Sequence, residues 1–207
     1  MTMKSAFLFA AALALTGNAR AQAPKIETDF SKQLAGEYVL DLAHASVVWR
    51  VTHFGLSNYT ARFDKMEGKI NLTPGSVGNS RAEFSIEAAS VNTGLAPFNK
   101  KLMAPEFFDG EKNPRITFKS TKFEHVSGQA YKLTGDMTLR GVTKPITWNV
   151  IFNGGLYNSY AQAQATGFSA KGVVKRSDWG MKEYAGIVGD DVEVIIETEF
   201  NNRAAPL

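Results

Sequence analysis

The stretch Ala130-Tyr131-Lys132-Leu133-Thr134-Gly135-Asp136-Met137-Thr138-Leu139-Arg140 decides the fold class. Tyr131, Leu133, Gly135, Met137 and Leu139 take one set of alternate positions; Lys132, Thr134, Asp136, Thr138 and Arg140 take the other. Successive side chains of a strand point to opposite faces, so this spacing predicts a β-strand with one face in a core and one in water. The same period recurs in Ala82, Phe84, Ile86 and Ala88, in Ile146, Trp148, Val150 and Phe152, and in Val192, Val194, Ile196, Thr198 and Phe200. Parallel strands, covered on both faces, read as unbroken apolar runs, so the sheet is expected to be antiparallel.

Outward from these segments, further strands are expected at Glu37–Asp41, Ser46–His53, Arg62–Leu72, Arg115–Glu124 and Tyr160–Val174, giving about eight or nine at the spacing of an all-β barrel or sandwich. Turn chemistry separates them at Thr73-Pro74-Gly75-Ser76, Ser127-Gly128, Arg140-Gly141-Val142-Thr143 and Asn153-Gly154-Gly155. The one long interruption, Thr93–Gly110, predicts a short helix over Ala96–Met103 that caps an end of the sheet, followed by the apolar patch Pro105-Glu106-Phe107-Phe108. A closed barrel is favoured over a sandwich. Long strands suit a coiling sheet with Gly167 and Gly172 as bend points, and closure removes exposed edges.

The chain starts Met1-Thr2-Met3-Lys4 and continues with an uncharged apolar run, Ala6–Leu15, then the small-residue stretch Ala19-Arg20-Ala21-Gln22-Ala23. This is the layout of a secretory signal peptide, with cleavage expected after Ala21. Ten apolar residues are too few to span a bilayer, which takes about 20. The organisation expected is therefore a signal peptide at 1–21, a loose polar segment at 22–35 and one barrel domain at 36–202, exported to the periplasm or secreted, with no transmembrane segment in the mature chain. The 23 Lys and Arg against 20 Asp and Glu fall to 21 against 20 without Lys4 and Arg20, a net charge of +1. So balanced a chain lacks the basic footprint of a nucleic-acid binder. It has no Cys, so closure and core packing, rather than disulfides, must hold it together.

The inward set expected from the period is Trp49, Val51, Phe84, Ile86, Phe118, Leu133, Met137, Trp148, Val150 and Phe152, interspersed with small residues such as Ala82, Ala88, Gly135, Ala163 and Ala165. An eight-stranded barrel is either filled by its own side chains or just wide enough for a small ligand. The pattern of large and small residues leaves both open. Polar candidates are few. Asp41, His44 and His53 lie close in sequence and could supply metal ligation or acid–base chemistry, though a catalytic zinc wants three protein ligands. The alternative is imidazoles that tie a strand end to a loop. No Ser lies in a G-x-S-x-G elbow and no phosphate-binding glycine loop is present. Lys171, Lys175 and Arg176 are a basic group that could meet an anionic head group at a barrel mouth or be a solvated face.

Several stretches resemble the YceI-like family. They are Tyr38-Val39-Leu40-Asp41 with His44, Trp49 and His53-Phe54-Gly55-Leu56-Ser57; Arg62-Phe63 and Gly68; Phe107-Phe108-Asp109 followed by Pro114–Ser120; Leu133–Pro145; and Ser177-Asp178-Trp179-Gly180-Met181. The match runs from about Gly36 to Phe200, in order. The resemblance implies a lipocalin-like antiparallel eight-stranded β-barrel with a short capping helix, periplasmic, with no settled enzymatic activity. It further implies that the barrel encloses an isoprenoid or similar long-chain amphiphile, a quinone-like lipid included, and this favours a hollow interior. The expected lining is Trp49, Val51, Phe84, Ile86, Phe118, Leu133, Met137, Trp148 and Phe152, with Leu102, Met103, Phe107 and Phe108 from a lid at Leu95–Phe108. His44, His53 and Asn99 are the head-group candidates, Asn99 standing where members commonly carry an acidic residue. No G-x-W of true lipocalins is present, since Gly36-Glu37-Tyr38 stands there instead. The rival readings are an enzyme using His44, His53 and Asp41, and a solid-core interaction or stress-response module. The outer faces are compatible with a homodimer. No resident cofactor or metal is expected.

Overall fold

The computed structural model describes residues 24–202, so the expected signal peptide lies outside the described residues. Eleven strands form one antiparallel sheet: β1 (Gly36–Leu40), β2 (Ser46–His53), β3 (Ser57–Phe63), β4 (Met66–Leu72), β5 (Arg81–Glu87), β6 (Val91–Asn92), β7 (Arg115–Ser127), β8 (Ala130–Leu139), β9 (Val142–Asn158), β10 (Ala163–Lys175) and β11 (Val188–Asn202). Six of these strands are halves of three interrupted staves. β1 and β2 run in the same direction along β11, pairing Leu40 with Phe200 and Ser46 with Glu197. β3 and β4 likewise follow one another opposite β2 and β1, and β5 and β6 follow one another opposite β4 and β3. With β7 to β11 uninterrupted, the staves number eight, and the β1–β11 pairing closes them into an up-and-down barrel. The expected strand Arg62–Leu72 is thus one stave with a break at Asp64–Lys65. Hydrogen bonds from Asp64 N to Ser90 O and from Glu87 N to Lys65 O hold that break against the one in the next stave.

Turn residues act as their types require at the two-residue hairpin between β8 and β9. Arg140 and Gly141, between β8 and β9, both have positive φ (53° and 72°), the conformation that matches strand twist in a two-residue loop. Helix α1 (Ala96–Leu102) begins with Pro97 in its first turn, where a missing N–H costs nothing, and lies across one end of the barrel. This end, the mouth, also carries the β2–β3 hairpin and the loop from Arg176 to Ile187. The other end is the base.

The base is solid, and the segment expected to be loose helps to make it so. Residues 24–35 are ordered against the barrel. Asp29 caps a short 3-10 turn (Phe30–Lys32) by accepting from Ser31 N, and Glu27 forms a β-bridge with Gly155. That turn drives Phe30 into the barrel base, where it is 3% exposed and its ring sits 5.3–5.9 Å from those of Phe123, Tyr131 and Phe152. Tyr38, fully buried, donates its hydroxyl to Leu34 O at 2.9 Å. The correction has a simple cause. A single aromatic anchor and a cap order a short segment without any periodic pattern to announce it. The same plug explains Asn153-Gly154-Gly155, which forms no turn but lies within β9. A methyl group on Gly154 would collide with Ile26, and one on Gly155 with the Gln33 side chain, so the two glycines admit the plug backbone.

Outside, the wall is polar and carries cross-strand ion pairs such as Lys69–Glu37, Lys119–Glu83, Arg115–Glu67 and Arg50–Glu193. Among the described residues no helix is long and apolar enough to cross a membrane. Phe30→Ala should lower the unfolding free energy by about 3–5 kcal/mol, as removal of a buried core aromatic does. Denaturant titration checks this; a change within about 0.5 kcal/mol, the size of a surface substitution, would return the segment to the loose state expected from sequence.

Candidate functional site

Above the base the barrel is hollow. Phe200, Phe152 and Tyr38 at the base are at most 1% exposed, whereas Phe84, Ile86, Ile116, Leu133, Val192, Val194 and Ile196, which face inward nearer the mouth, are only half-buried. Inward-facing apolar side chains with accessible surface must border empty space, and they surround a cavity of about 530 Å3. That is the size of a small-molecule site.

The cavity stays open because three aromatic rings lie along the wall instead of pointing at the axis. Each rests where a neighbouring strand has no side chain. Phe84 covers its cross-strand partner Gly68, Phe118 covers Gly135, and Trp148 covers Gly172. A methyl group at Gly68 would come within 2.6 Å of Phe84 Cδ1, one at Gly135 within 2.6 Å of Phe118 Cζ, and one at Gly172 within 2.5 Å of Trp148 Cε3. All three glycines have the inward parity of their strands, so ring-on-glycine packing removes volume from the wall rather than from the lumen.

Of the residues expected in the lining, Trp49 and Val51 on β2, Phe84 and Ile86 on β5, Phe118 on β7, Leu133 and Met137 on β8 and Trp148 on β9 border the cavity. Leu102, Phe107 and Phe108 close over it from the α1 side. Two do not. Phe152 has the right parity but sits at base level, packed on Phe30 and on Phe168 at 5.4 Å. Met103 turns away from the lumen and lies over Gly110, where a methyl group would strike its side chain. Lining residues that the alternation contains but that were not singled out include Met66 and Ile70 on β4, Ile116 on β7, Phe168 and Ala170 on β10, and Val192, Val194 and Ile196 on β11. Phe98 of α1 and Tyr184 of the β10–β11 loop carry no periodic signal at all.

The head-group candidates separate. His53 borders the cavity at the mouth, exposed, with its ring 4.7 Å from that of Phe54. Asn99 is consumed within the cap, its Oδ1 accepting from Thr93 N at 2.8 Å and from Thr93 Oγ1 at 2.6 Å. His44 is not at the lumen. It lies in the break between β1 and β2, with Nδ1 3.0 Å from Asp41 Oδ2, and joins Asp41 and Glu199 in a group whose ligand atoms all lie within 4.8 Å of one another. His53 stands at the opposite end of β2, about 25 Å away at 3.3 Å per residue, so the triad of Asp41, His44 and His53 does not assemble. Among the described residues Asp41, His44 and Glu199 are a group that could hold a metal ion, but it lies outside the lumen and could not act on a guest within it. The hydrogen bond from His44, first, and that from Ala43 N hold the Asp41 carboxyl below its ordinary range, and Asp41 in turn raises His44.

The basic group is also divided. Lys175 pairs with Asp191 at 2.7 Å on the outer wall. Arg176 is 7% exposed and spends its donors on the backbone carbonyls of Gly189, Met181, Glu183 and Val188 at 2.8–3.0 Å, which shapes the β10–β11 loop into part of the rim. Lys101, from α1, donates to Tyr184 Oη at 3.0 Å across the mouth. That bond is the main reason its ammonium holds its proton more tightly than usual.

With this geometry in view, comparison with known proteins is direct. The family model for the YceI-like domain matches residues 38–200. A UPF0312 protein of Serratia proteamaculans is 33% identical over 168 residues, covering 80% of this chain and 86% of that protein. The crystal structure of Burkholderia cenocepacia BcnA superposes with a TM-score of 0.70 at 22% identity, over 77% of this chain and 98% of that one. A polyisoprenoid binding domain from Saccharophagus degradans, implicated in plant cell wall breakdown, gives a TM-score of 0.63 at 16% identity, over 84% of this chain and all of the domain, so the two share a fold.

Two expectations follow. Gly68→Ala should swing Phe84 off its seat into the lumen and weaken binding of an apolar fluorescent probe severalfold, while the cost in stability stays within the 1–3 kcal/mol typical of overpacking. Unchanged probe affinity would mean that the ring seats do not define the lumen. In a proton NMR titration His44 should titrate above the ordinary imidazole range, and Asp41→Asn should bring it down. The sign follows from the raised value: the His44 bond contributes below the ordinary imidazole pKa and is lost as pH rises through the folded one.

Proposed function

The chain belongs to the YceI-like domain family, and from that premise we propose that it binds an isoprenoid or similar long-chain amphiphile in its lumen and carries or sequesters it in the periplasm. The observation that carries the reading is a long apolar cavity, closed at the base by Phe30 and its aromatic neighbours and reaching the surface at the mouth. A guest in such a cavity would put its tail toward the base and its head group at the mouth, beside His53, Lys101 and Tyr184. Each 100 Å2 of apolar surface taken from water stabilises the complex by about 2.5 kcal/mol, so a long tail can offset the cost of being ordered. The name of the Saccharophagus degradans domain supports the class of ligand, and the N-terminal sequence supports export.

Chain-type selectivity should be loose. An apolar pocket discriminates one methylene by about 1–3 kcal/mol, and the lining offers few groups to recognise anything else. An isoprenoid-tailed quinone would fit the same tail requirement.

The test is extraction of natively purified protein with organic solvent and mass spectrometry of the extract, for the unchanged chain and for Ala170→Phe. Ala170 borders the cavity and is half-buried. The unchanged chain should yield about one equivalent of a long-chain lipid, and the variant should fold with near-normal stability and yield little. A solid core would give the reverse: no lipid from either, and a loss of about 1–3 kcal/mol from overpacking in the variant.

A further inference from the structure

We infer that the mouth of the barrel docks on a lipid bilayer through an apolar collar carried by three loops that are bonded to one another. The first is the β2–β3 hairpin tip, where Phe54 is 59% exposed and Leu56 87%. The second is the start of α1, where Leu95 is 61% exposed; the third is the β10–β11 loop, where Tyr184 and Ile187 are both exposed. Phe54 N donates to Ile187 O at 2.7 Å, Tyr59 Oη to Thr93 O at 3.3 Å and Lys101 Nζ to Tyr184 Oη at 3.0 Å, so these apolar groups ring one opening as a connected unit. Phe54 is held at φ 53°, a conformation uncommon for a bulky residue, at the tip that carries its ring into solvent.

The occupant follows from what the collar adjoins. His53, Tyr184 and Ile187 are at once exposed and part of the cavity wall, so collar and lumen are one continuous apolar surface. A long-chain guest, the ligand this inference takes over from the preceding reading, crosses the collar without wetting its tail only if the collar rests on hydrocarbon. Lys100, Lys101 and Lys182 are exposed on the same loops, against Glu106 and Glu183, an excess of positive charge that suits a surface with anionic head groups. The ion-paired outer wall begins directly behind the collar and limits immersion to the loops. Exposed apolar groups surround the base as well, Tyr160 above all at 99%, but the lumen is plugged there and nothing passes.

The test is flotation of the exported protein, as purified, with phosphatidylcholine vesicles containing or lacking phosphatidylglycerol. It is run beside Leu56→Asp, Leu95→Asp and Tyr160→Asp, with lipid extraction on the same preparations and thermal melts to verify folding. The protein should float, more with phosphatidylglycerol than without. Each mouth variant should lose about tenfold in partitioning, the equivalent of one leucine withheld from hydrocarbon, and Tyr160→Asp should lose nothing. Equal losses at mouth and base, or none at the mouth, overturn the inference. So does a dimer seen by sedimentation that Leu56→Asp dissolves, since the collar would then cover a second copy. Lipid recovered from protein that does not float sinks docking and leaves the cavity reading intact; protein that floats but yields no lipid does the opposite.

Discussion

The seating of Phe84, Phe118 and Trp148 on Gly68, Gly135 and Gly172 is the packing arrangement on which the rest of this barrel depends. An eight-stranded barrel has an interior that side chains of ordinary size fill. Three large rings directed at the axis would give a solid core. Laid against bare backbone, the same rings keep their burial on one side and leave a lumen on the other. The arrangement is asymmetric in what it permits. At Gly68 and Gly172 the main obstacle to a larger residue is a ring that can rotate inward at the expense of the lumen, with the Glu83 carbonyl oxygen at 3.3 Å a lesser one at Gly68. At Gly135 it is also the Lys119 carbonyl oxygen, which cannot move without breaking the sheet.

A hollow barrel must still be stable, and the chain has no disulfide to help. At the base, Phe30, Phe123, Tyr131, Phe152, Phe168 and Phe200 form a connected aromatic cluster. Several residues that border the lumen, Trp49, Phe118, Met137 and Trp148 among them, are themselves buried, and Val47, Trp49, Ala61, Phe63, Val91 and Leu102 form a second packed cluster toward the mouth. The aromatic base closes the barrel, and above it packed walls on both sides border the cavity. The three interrupted staves break side by side, and strands on both sides of the breaks, β2 and β3 as well as β4 and β5, contribute to the cavity wall.

Much of this was legible in the sequence, because the period-two pattern survives wherever one strand face is dry. It identified the sheet, its antiparallel sense and most of the strand-borne lining, while the capping helix showed as the one long interruption of that pattern. What it gives is parity and not height. Phe152 shares its face with Trp148 and Val150, yet lies below the cavity. Proximity in sequence misled in the same way: nine residues of extended chain put His44 and His53 at opposite ends of β2, while Glu199, far away in sequence, joins His44 through strand pairing. Asn153-Gly154-Gly155 reads as a turn by composition, although its glycines serve a close backbone approach that only the tertiary fold reveals. Phe30 was invisible because one anchor in an aperiodic segment leaves no pattern.

The division of polar and apolar chemistry constrains what such a molecule can recognise. Among the described residues the charge pairs on the wall face outward and the buried cation Arg176 is occupied by carbonyl groups, so the lumen is lined almost wholly by apolar groups, with the unpartnered Trp49 Nε1 a polar exception in its wall. Recognition deep inside must then come from length and cross-section, which the Phe30 plug and the ring seats set. Any selection by chemical group is confined to the rim, where His53, Lys101 and Tyr184 meet solvent. On the reading proposed above, the tail and head of a long-chain guest would be read by different parts of the barrel, one by exclusion of volume and the other by polar contact. A substitution at the base should alter which chain lengths fit without altering the preference for head group, and one at the rim should do the converse.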